Sequence, residues 1–386
     1  MDGTLSQRTC DGGVLTPPSS QRFCDEFAAL LFASLRRREQ RHKAQQYVCG
    51  LLVLPGRKTL RNVAAQFEGA AARQSVHHFI TESSWDWMPV RHALARCVHE
   101  AFDPQAWVIR PTMIPKAGSH TIGVDEHYLP QLGQAVSGQQ AVGAWLASSR
   151  CALPVGWRLV LSERWMRTPL RQRSSIPSGA AASTLDECVR GVVADTVAAG
   201  EVPRVPVVVD AQLADAVGLA RHLGSLGLPF LVRVDPDEHL RLDTRKLPMY
   251  GGRERTAGEL ATNLTRLWRA VDPGDGPTLA AAIPVVGPRR PSSHGDTKLL
   301  LVGEWPRDGR SGGRLWLTGS PAVSLAPVLA LTRLPDVVAR DFDTISEGVG
   351  MRDFAGRSFP GWHRHVTLAS VAHCIAAWPM RTAVGL

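Results

Sequence analysis

The sequence feature that most constrains the fold is a short, valine-rich run that ends in an acid, Val205 to Asp210. The run is continuously apolar rather than alternating, which is typical of a central strand covered on both faces of its sheet. Ligands of open α/β sheets bind at the carboxyl ends of such strands, so Asp210 is a candidate site residue. The alternative is that Asp210 only caps the helix predicted over residues 212–226. Acidic partners elsewhere in the chain would favour the first interpretation.

Charge is the second constraint on function. The 386 residues include 44 lysines and arginines against 35 acids, which gives a formal net charge of +9. This basic excess predicts a polyanionic partner, DNA or RNA, whose binding weakens as salt rises. An acidic protein surface is the alternative partner.

The composition also excludes several classes of protein. No stretch approaches the roughly 18 uncharged apolar residues of a membrane span, and the amino terminus lacks the basic and apolar segments of an export signal. We therefore expect a cytoplasmic protein without membrane contact. The seven cysteines are scattered, with no CxxC pair or Cys/His cluster, so the pattern favours buried thiols over a zinc site or a disulfide framework.

The amino-terminal quarter is predicted to be a helical DNA-binding region over residues 20–103, after a disordered start over residues 1–19. Two of its helices, entered at Gly56–Val63 and at Ala72–Phe79, flank a glycine-containing turn. This arrangement is compatible with a helix-turn-helix unit. Because two helices around such a turn occur in many folds, the DNA-binding assignment depends on the charge.

From Trp107 onward the pattern changes to strands separated by helices. Strands are predicted at 107–109, 121–124, 141–146, 205–210 and 230–234, and helices at 184–199 and 212–226. The order βββαβαβ predicts an α/β, RNase H-like domain, in which parallel strands extend an antiparallel meander.

The remaining segments complete the predicted domain plan. The RNase H-like domain is expected to comprise residues 104–234 and 332–380, the second part being C-terminal helices. Residues 235–331 are predicted to be a β-rich insert, with strands at 299–302 and 315–317.

Nucleases with an RNase H-like fold need three clustered carboxylates. Ionised oxygens hold two divalent cations about 3.5–4 Å apart, and the cations activate a water or a 3′-hydroxyl and stabilise the leaving oxygen. One acid lies on the first strand, one at the end of the fourth and one on a late helix. Asp210 fits the second of these places.

Five blocks of sequence, spread over nearly the whole chain, occur in the same order as the motifs of a known protein family. They are Gly50 to Thr59, Pro115 to Val124 with a Pro-Lys-x-Gly start, Leu153 to Leu159, Val207 to Asp210, and Arg352 to His365 with Gly-Arg-Ser-x-x-Gly-Trp-His-x-His. The chain thereby resembles insertion-sequence transposases of the DDE superfamily. The resemblance implies DNA strand cleavage and transfer, Mg²⁺ or Mn²⁺ as cofactor, double-stranded element ends as partner, and a homodimer.

The resemblance also implies where the catalytic acids should lie. The first acid is expected just ahead of the Pro-Lys-x-Gly turn, where this chain has Arg110 and Pro111. The third is expected at Ala339, with Arg340 beside it. Only Asp210 matches, as a catalytic and metal-binding residue, so the conventional site lacks two of its three acids.

Displaced acids are the alternative to a lost site. If the turn after Pro115 closes a regular hairpin, Asp125 falls on the same face as position 111, roughly 7–8 Å away. Asp336, Asp343 and Glu347 share the helix face of Ala339. One of these acids could then complete the metal site.

Basic and histidine side chains within the matching blocks are predicted to contact DNA. They are Arg57, Lys58, Lys116, Arg357, His363, Arg364 and His365. Three functions remain open from the sequence: a transposase that cuts DNA through displaced acids, an inactive transposase-like DNA-binding protein or regulator that needs no metal, and a protein whose basic surface binds an acidic partner.

Overall fold

The fold begins with a helical region that packs against the rest of the chain. A computed structural model describes residues 27–67, 69–129, 133–198, 205–287, 298–305, 313–319 and 324–377, so the predicted disordered start lies outside the described residues. The helical region contains α1 (Arg38–Val53), α2 (Leu60–Ala64), α3 (Ala70–Thr81) and α4 (Met88–Phe102). Helices α2 and α3 flank the turn at Gly69, whose φ of 85° suits glycine.

Twelve strands within the described residues form one mixed sheet. They are β1 (Ala106–Pro115), β2 (Val124–Leu129), β3 (Gln134–Ala147), β4 (Ala152–Leu159), β5 (Val207–Val209), β6 (Phe230–Val234), β7 (His239–Leu242), β8 (Glu254–Thr256), β9 (Arg269–Val271), β10 (Thr278–Val286), β11 (Lys298–Trp305) and β12 (Leu315–Thr318). Strands β1, β5 and β6 are parallel neighbours, whereas β3 pairs antiparallel with both β1 and β4. The order β4-β3-β1-β5-β6 confirms the predicted α/β, RNase H-like arrangement.

The antiparallel meander differs from the predicted one. Strand β1 pairs with β3, and β4 completes the meander, whereas β2 is an additional strand that pairs with the first half of β3. The predicted strand at 121–124 is wrong because Gly123 turns the chain with φ 73° and β2 starts only at Val124. The strand β4 was absent from the predicted order because Pro154 and Gly156 interrupt its apolar pattern.

The segment after β6 extends the same sheet. Strand β12 pairs antiparallel with β6, and β11, β10 and β7 follow in turn up to β8. Residues 235–331 are therefore rich in strands, as the sequence pattern predicted, although the domain boundaries themselves stay a prediction.

The remaining helices cover the sheet and connect it to the helical region. They are α5 (Glu163–Met166), α6 (Leu170–Arg173), α7 (Leu185–Ala198), α8 (Ala216–Ser225), α9 (Ala257–Asn263), α10 (Leu325–Leu331), α11 (Leu334–Asp341) and α12 (Phe359–Ala377). Short 3-10 turns occupy Pro248–Tyr250 and Thr265–Leu267, and a π-helical turn, Phe342–Ser346, follows α11. Within the described ranges, none of the helices combines the length and apolar character that a membrane crossing needs.

Helix α12 is the central buried element. It is buried along most of its length and contacts β4 on one side and α1, α3 and α4 on the other. A helix that is apolar around most of its surface must be enclosed on all sides. The amino-terminal helices therefore share a core with the sheet through α12.

Candidate active site

Asp210 lies at the carboxyl end of β5, between β1 and β6. Val209 is in register with Ile109 on one side and with Val232 on the other, so the residues that follow, Arg110 and Arg233, flank Asp210. The backbone N–H of Asp210 donates to Ile109 O at 2.9 Å. The residue is only 7% exposed.

Both carboxylate oxygens of Asp210 are engaged by arginine. Oδ1 accepts a hydrogen bond from Arg233 Nη1 at 2.8 Å, and Oδ2 lies 3.3 Å from Arg110 Nε. The helix-cap alternative for Asp210 is wrong, because the cap of α8 is Asp215, whose Oδ1 accepts from Gly218 N at 3.0 Å.

A third arginine, Arg314, immediately precedes β12, the strand that pairs with β6. Its two terminal nitrogens pair with the two oxygens of Asp336 at 3.0 and 2.6 Å. The hydrogen bond to Asp336 raises the pKa of Arg314, and the charge of Asp210 adds a smaller contribution. The sequence prediction missed Arg233 and Arg314, although Arg233 is the only charged residue in the apolar strand Phe230–Val234.

The expected third acid position lies on α11, which packs over β1, β3 and β4. Ala339 occupies that position, and the nearby buried acid is Asp341. Its Oδ2 accepts from Ala152 N at 2.7 Å and its Oδ1 from Arg340 Nε at 2.8 Å. Asp341 therefore fixes the start of β4.

The hairpin that would have brought Asp125 beside position 111 is not formed. Pro111 is in register with Val142 of β3, and Asp125 with Gly138. Asp125 Oδ2 accepts hydrogen bonds from Ser162 Oγ at 2.8 Å and from Trp165 Nε1 at 3.1 Å. These bonds attach α5 to β2.

The other acids proposed as replacements also have partners of their own. Asp343 and Glu347 both pair with Arg352, and Asp336 pairs with Arg314. In the part of the chain that the structure describes, no three acidic, histidine or cysteine side chains converge as a metal site. With Arg110 at the first acid position and both oxygens of Asp210 paired to guanidinium groups, the residues present do not fit two divalent cations.

Three predicted DNA contacts are buried on α12. His363 stacks on Trp87 with ring centroids 4.7 Å apart, Arg364 donates to Trp85 O and Ile80 O, and His365 bonds Tyr47 Oη at 2.9 Å and Gly350 O at 3.0 Å. Each of the three is at most 5% exposed. The predicted DNA contacts of His363, Arg364 and His365 are not supported, because these side chains connect α12 to the helical region instead.

The two predicted lysine contacts are engaged by the loop before α12. Lys116 Nζ donates to Arg352 O at 2.5 Å and to Phe354 O at 2.8 Å, and Lys58 Nζ donates to Gly348 O. Burial lowers the pKa of Lys116 to about 8. Both ammonium groups therefore hold this loop, and DNA contacts by Lys58 and Lys116 are not supported.

Arg57 and Arg357 are exposed, and Arg357 lines a large basic groove. This groove of about 950 Å³ lies between α2, α3 and the segment 355–358. Among the described residues that line it are the arginines Arg61, Arg73, Arg173 and Arg357 and the acid Glu82. We call it the basic groove.

The strand order, the acid at the end of β5 and the helix over β1 define the class of proteins with an RNase H-like nuclease fold. A family model described as DDE superfamily endonuclease matches residues 30–282. The match covers more than half of the 386 residues, and the chain belongs to this family. The resemblance in the sequence blocks is confirmed at this level. No curated protein matches the chain.

Proposed function

We propose that this protein binds DNA as an inactive, insertion-sequence-type member of the DDE superfamily. The observation that carries the proposal is the double pairing of Asp210 with Arg110 and Arg233. Members of the family generally use divalent metals, which need free ionised oxygens. A guanidinium on each oxygen opposes metal binding by charge as well as by occupancy.

The basic groove supports the DNA-binding part of the proposal. Its four arginines are exposed on four separate segments and face one concave surface, so they suit a sugar-phosphate backbone. Arg73 and His77 lie four residues apart on α3, on the helix face that lines the groove. An acidic protein partner would be expected to compete with DNA for the same surface.

Removing two groove arginines together is expected to weaken DNA binding. In the double variant Arg73→Gln/Arg357→Gln, the plot of log K against log salt for duplex DNA should become less steep by about 2, since each arginine neutralises one phosphate. Fluorescence anisotropy at several salt concentrations measures this slope.

The matched control removes two exposed arginines outside the groove, Arg253→Gln/Arg266→Gln. It should bind duplex DNA like the unmodified protein, apart from a small loss of affinity caused by its lower net charge. Equal slopes for the groove variant and the control would exclude the groove as the DNA surface. Homodimer formation and a cytoplasmic location stay predictions.

A further inference from the structure

We propose that Arg110, Asp210 and Arg233, extended by Arg314, form a phosphate-binding site that needs no metal ion. We call these four residues the arginine site. The ligand is a phosphodiester of the DNA backbone, and this identification rests on the proposed function. The site lies at the carboxyl end of β5, between β1 and β6, and none of its residues is among those that line the basic groove.

The geometry places two guanidinium groups on either side of one carboxylate. Neighbouring strands are about 4.8 Å apart, so Arg110 and Arg233 approach Asp210 from both sides in one row. Their side chains are 32% and 34% exposed, whereas that of Asp210 is 6% exposed. The arginines thus cover the acid and present their outer edges to solvent.

The hydrogen-bonding capacity of the two arginines exceeds what Asp210 uses. A guanidinium carries five N–H donors, and Asp210 is contacted by one nitrogen of each arginine. The planar fork of donors matches the oxygens of a phosphate group. Arg314 contributes further donors at the same edge, with its charge balanced by Asp336.

The charge of the arginine site equals that of the metal site it replaces. Arg110, Asp210 and Arg233 carry a formal charge of +1, and Arg314 with its partner Asp336 adds no net charge. Three carboxylates with two divalent cations carry the same +1. The attraction for a singly charged phosphodiester is therefore retained, while the means of activating a nucleophile is absent among these side chains.

Asp210 acts as a positioning residue in this arrangement. Its buried carboxylate holds both arginines in place, so less side-chain freedom is lost when a phosphate binds. It also repels the phosphate. At a separation of a few ångströms in a partly buried site, this repulsion exceeds the benefit of positioning.

The decisive variant is Asp210→Asn, measured in EDTA. The amide preserves the shape and can still accept from Arg233, but it removes the negative charge. We expect duplex DNA to bind at least about threefold more tightly, because the site charge rises from +1 to +2. Because EDTA removes divalent cations, binding under this condition cannot depend on a metal ion, and unchanged or weaker binding by Asp210→Asn would overturn the proposal.

Loss of either arginine provides the complementary measurement. Arg110→Gln and Arg233→Gln should each weaken DNA binding about tenfold and reduce the salt slope by about 0.9, the value for one phosphate. Arg253→Gln, beside β8 at the far end of the sheet, is the control. Circular dichroism melting identifies any arginine variant that fails to fold, and Asp210→Asn then carries the test.

Inorganic pyrophosphate at constant ionic strength tests whether the site binds phosphate groups at all, independently of whether DNA supplies them. It should raise the melting temperature of the unmodified protein in EDTA, and Arg233→Gln should abolish the rise. If pyrophosphate raises the melting temperature of the unmodified protein but Arg233→Gln binds DNA with unchanged affinity, DNA is not the ligand of the site. If the unmodified protein binds no DNA, the proposed function fails, and the arginine site is then tested by pyrophosphate alone. A melting temperature that pyrophosphate does not raise would overturn the arginine site.

Discussion

Replacing Arg91 with alanine is expected to lower the free energy of unfolding by about 3 kcal/mol or more. Arg91 lies on α4, is buried, and donates to Trp157 O at 2.6 Å, Thr367 Oγ1 at 2.8 Å and His363 O at 3.2 Å. Its removal leaves acceptors on β4 and α12 without this donor. Burial lowers the pKa of Arg91 to about 9, which is still above neutral pH, so the hydrogen bonds that are lost are those of a charged donor. Urea unfolding measures the difference.

The control for this variant is His92→Ala, which removes the exposed side chain next along the same helix. It should change stability by less than about 0.5 kcal/mol, the usual range for surface substitutions. A similar loss in both variants would mean that helix α4, rather than the guanidinium network, determines the effect.

Acidification is expected to unfold the protein steeply below pH 6.5. Burial lowers the pKa of His365 to about 4 and that of His373 to about 3, and it lowers that of His363 well below 6.5. Because the unfolded chain takes up these protons first, stability is fully present above pH 6.5 and is lost as pH falls towards 4. Each histidine contributes about 1.4 kcal/mol per pH unit within that window.

The three histidines together give a slope of about 4 kcal/mol per pH unit near pH 5. This is large beside the roughly 5–15 kcal/mol that stabilises a typical domain. In His373→Gln, the slope from urea unfolding at several pH values should fall by about one third. His92→Gln controls for loss of a histidine as such. An unchanged slope in His373→Gln would contradict the assignment.

The sequence predicted the central part of the fold because its signals were local. The continuous valine run predicted β5, and the change of pattern after it predicted α8 and β6. The meander was harder, because the pairing of β1 with β3 joins residues separated by more than twenty positions. Gly123 turns the chain before β2, and Pro154 and Gly156 interrupt the apolar pattern of β4, so the sequence did not show where these strands lie.

The site was predictable in position but not in its contacts. Asp210 was found because a strand end has a sequence signature, and Arg110 was found because the family motif has an acid there. The role of Arg233 follows only from the parallel register of β5 and β6. Likewise, the block around His363 has the composition of a DNA contact, but the burial of α12 makes it part of the core.

The two arginines beside Asp210 give a physical reason for the proposed loss of metal binding. A buried, unpaired carboxylate would be costly in the folded state. Arg110 and Arg233 compensate Asp210 from the two neighbouring strands. The same pairing is the physical reason for proposing DNA binding without cleavage.

The most direct test of that central claim is nicking of supercoiled plasmid by the unmodified protein with Mg²⁺ or Mn²⁺. The protein concentration is set so that a gel shift shows all plasmid bound. The account predicts that the bound plasmid stays uncut over the full incubation. Nicked or linear DNA that forms with the unmodified protein and is lost in Asp210→Asn would contradict it.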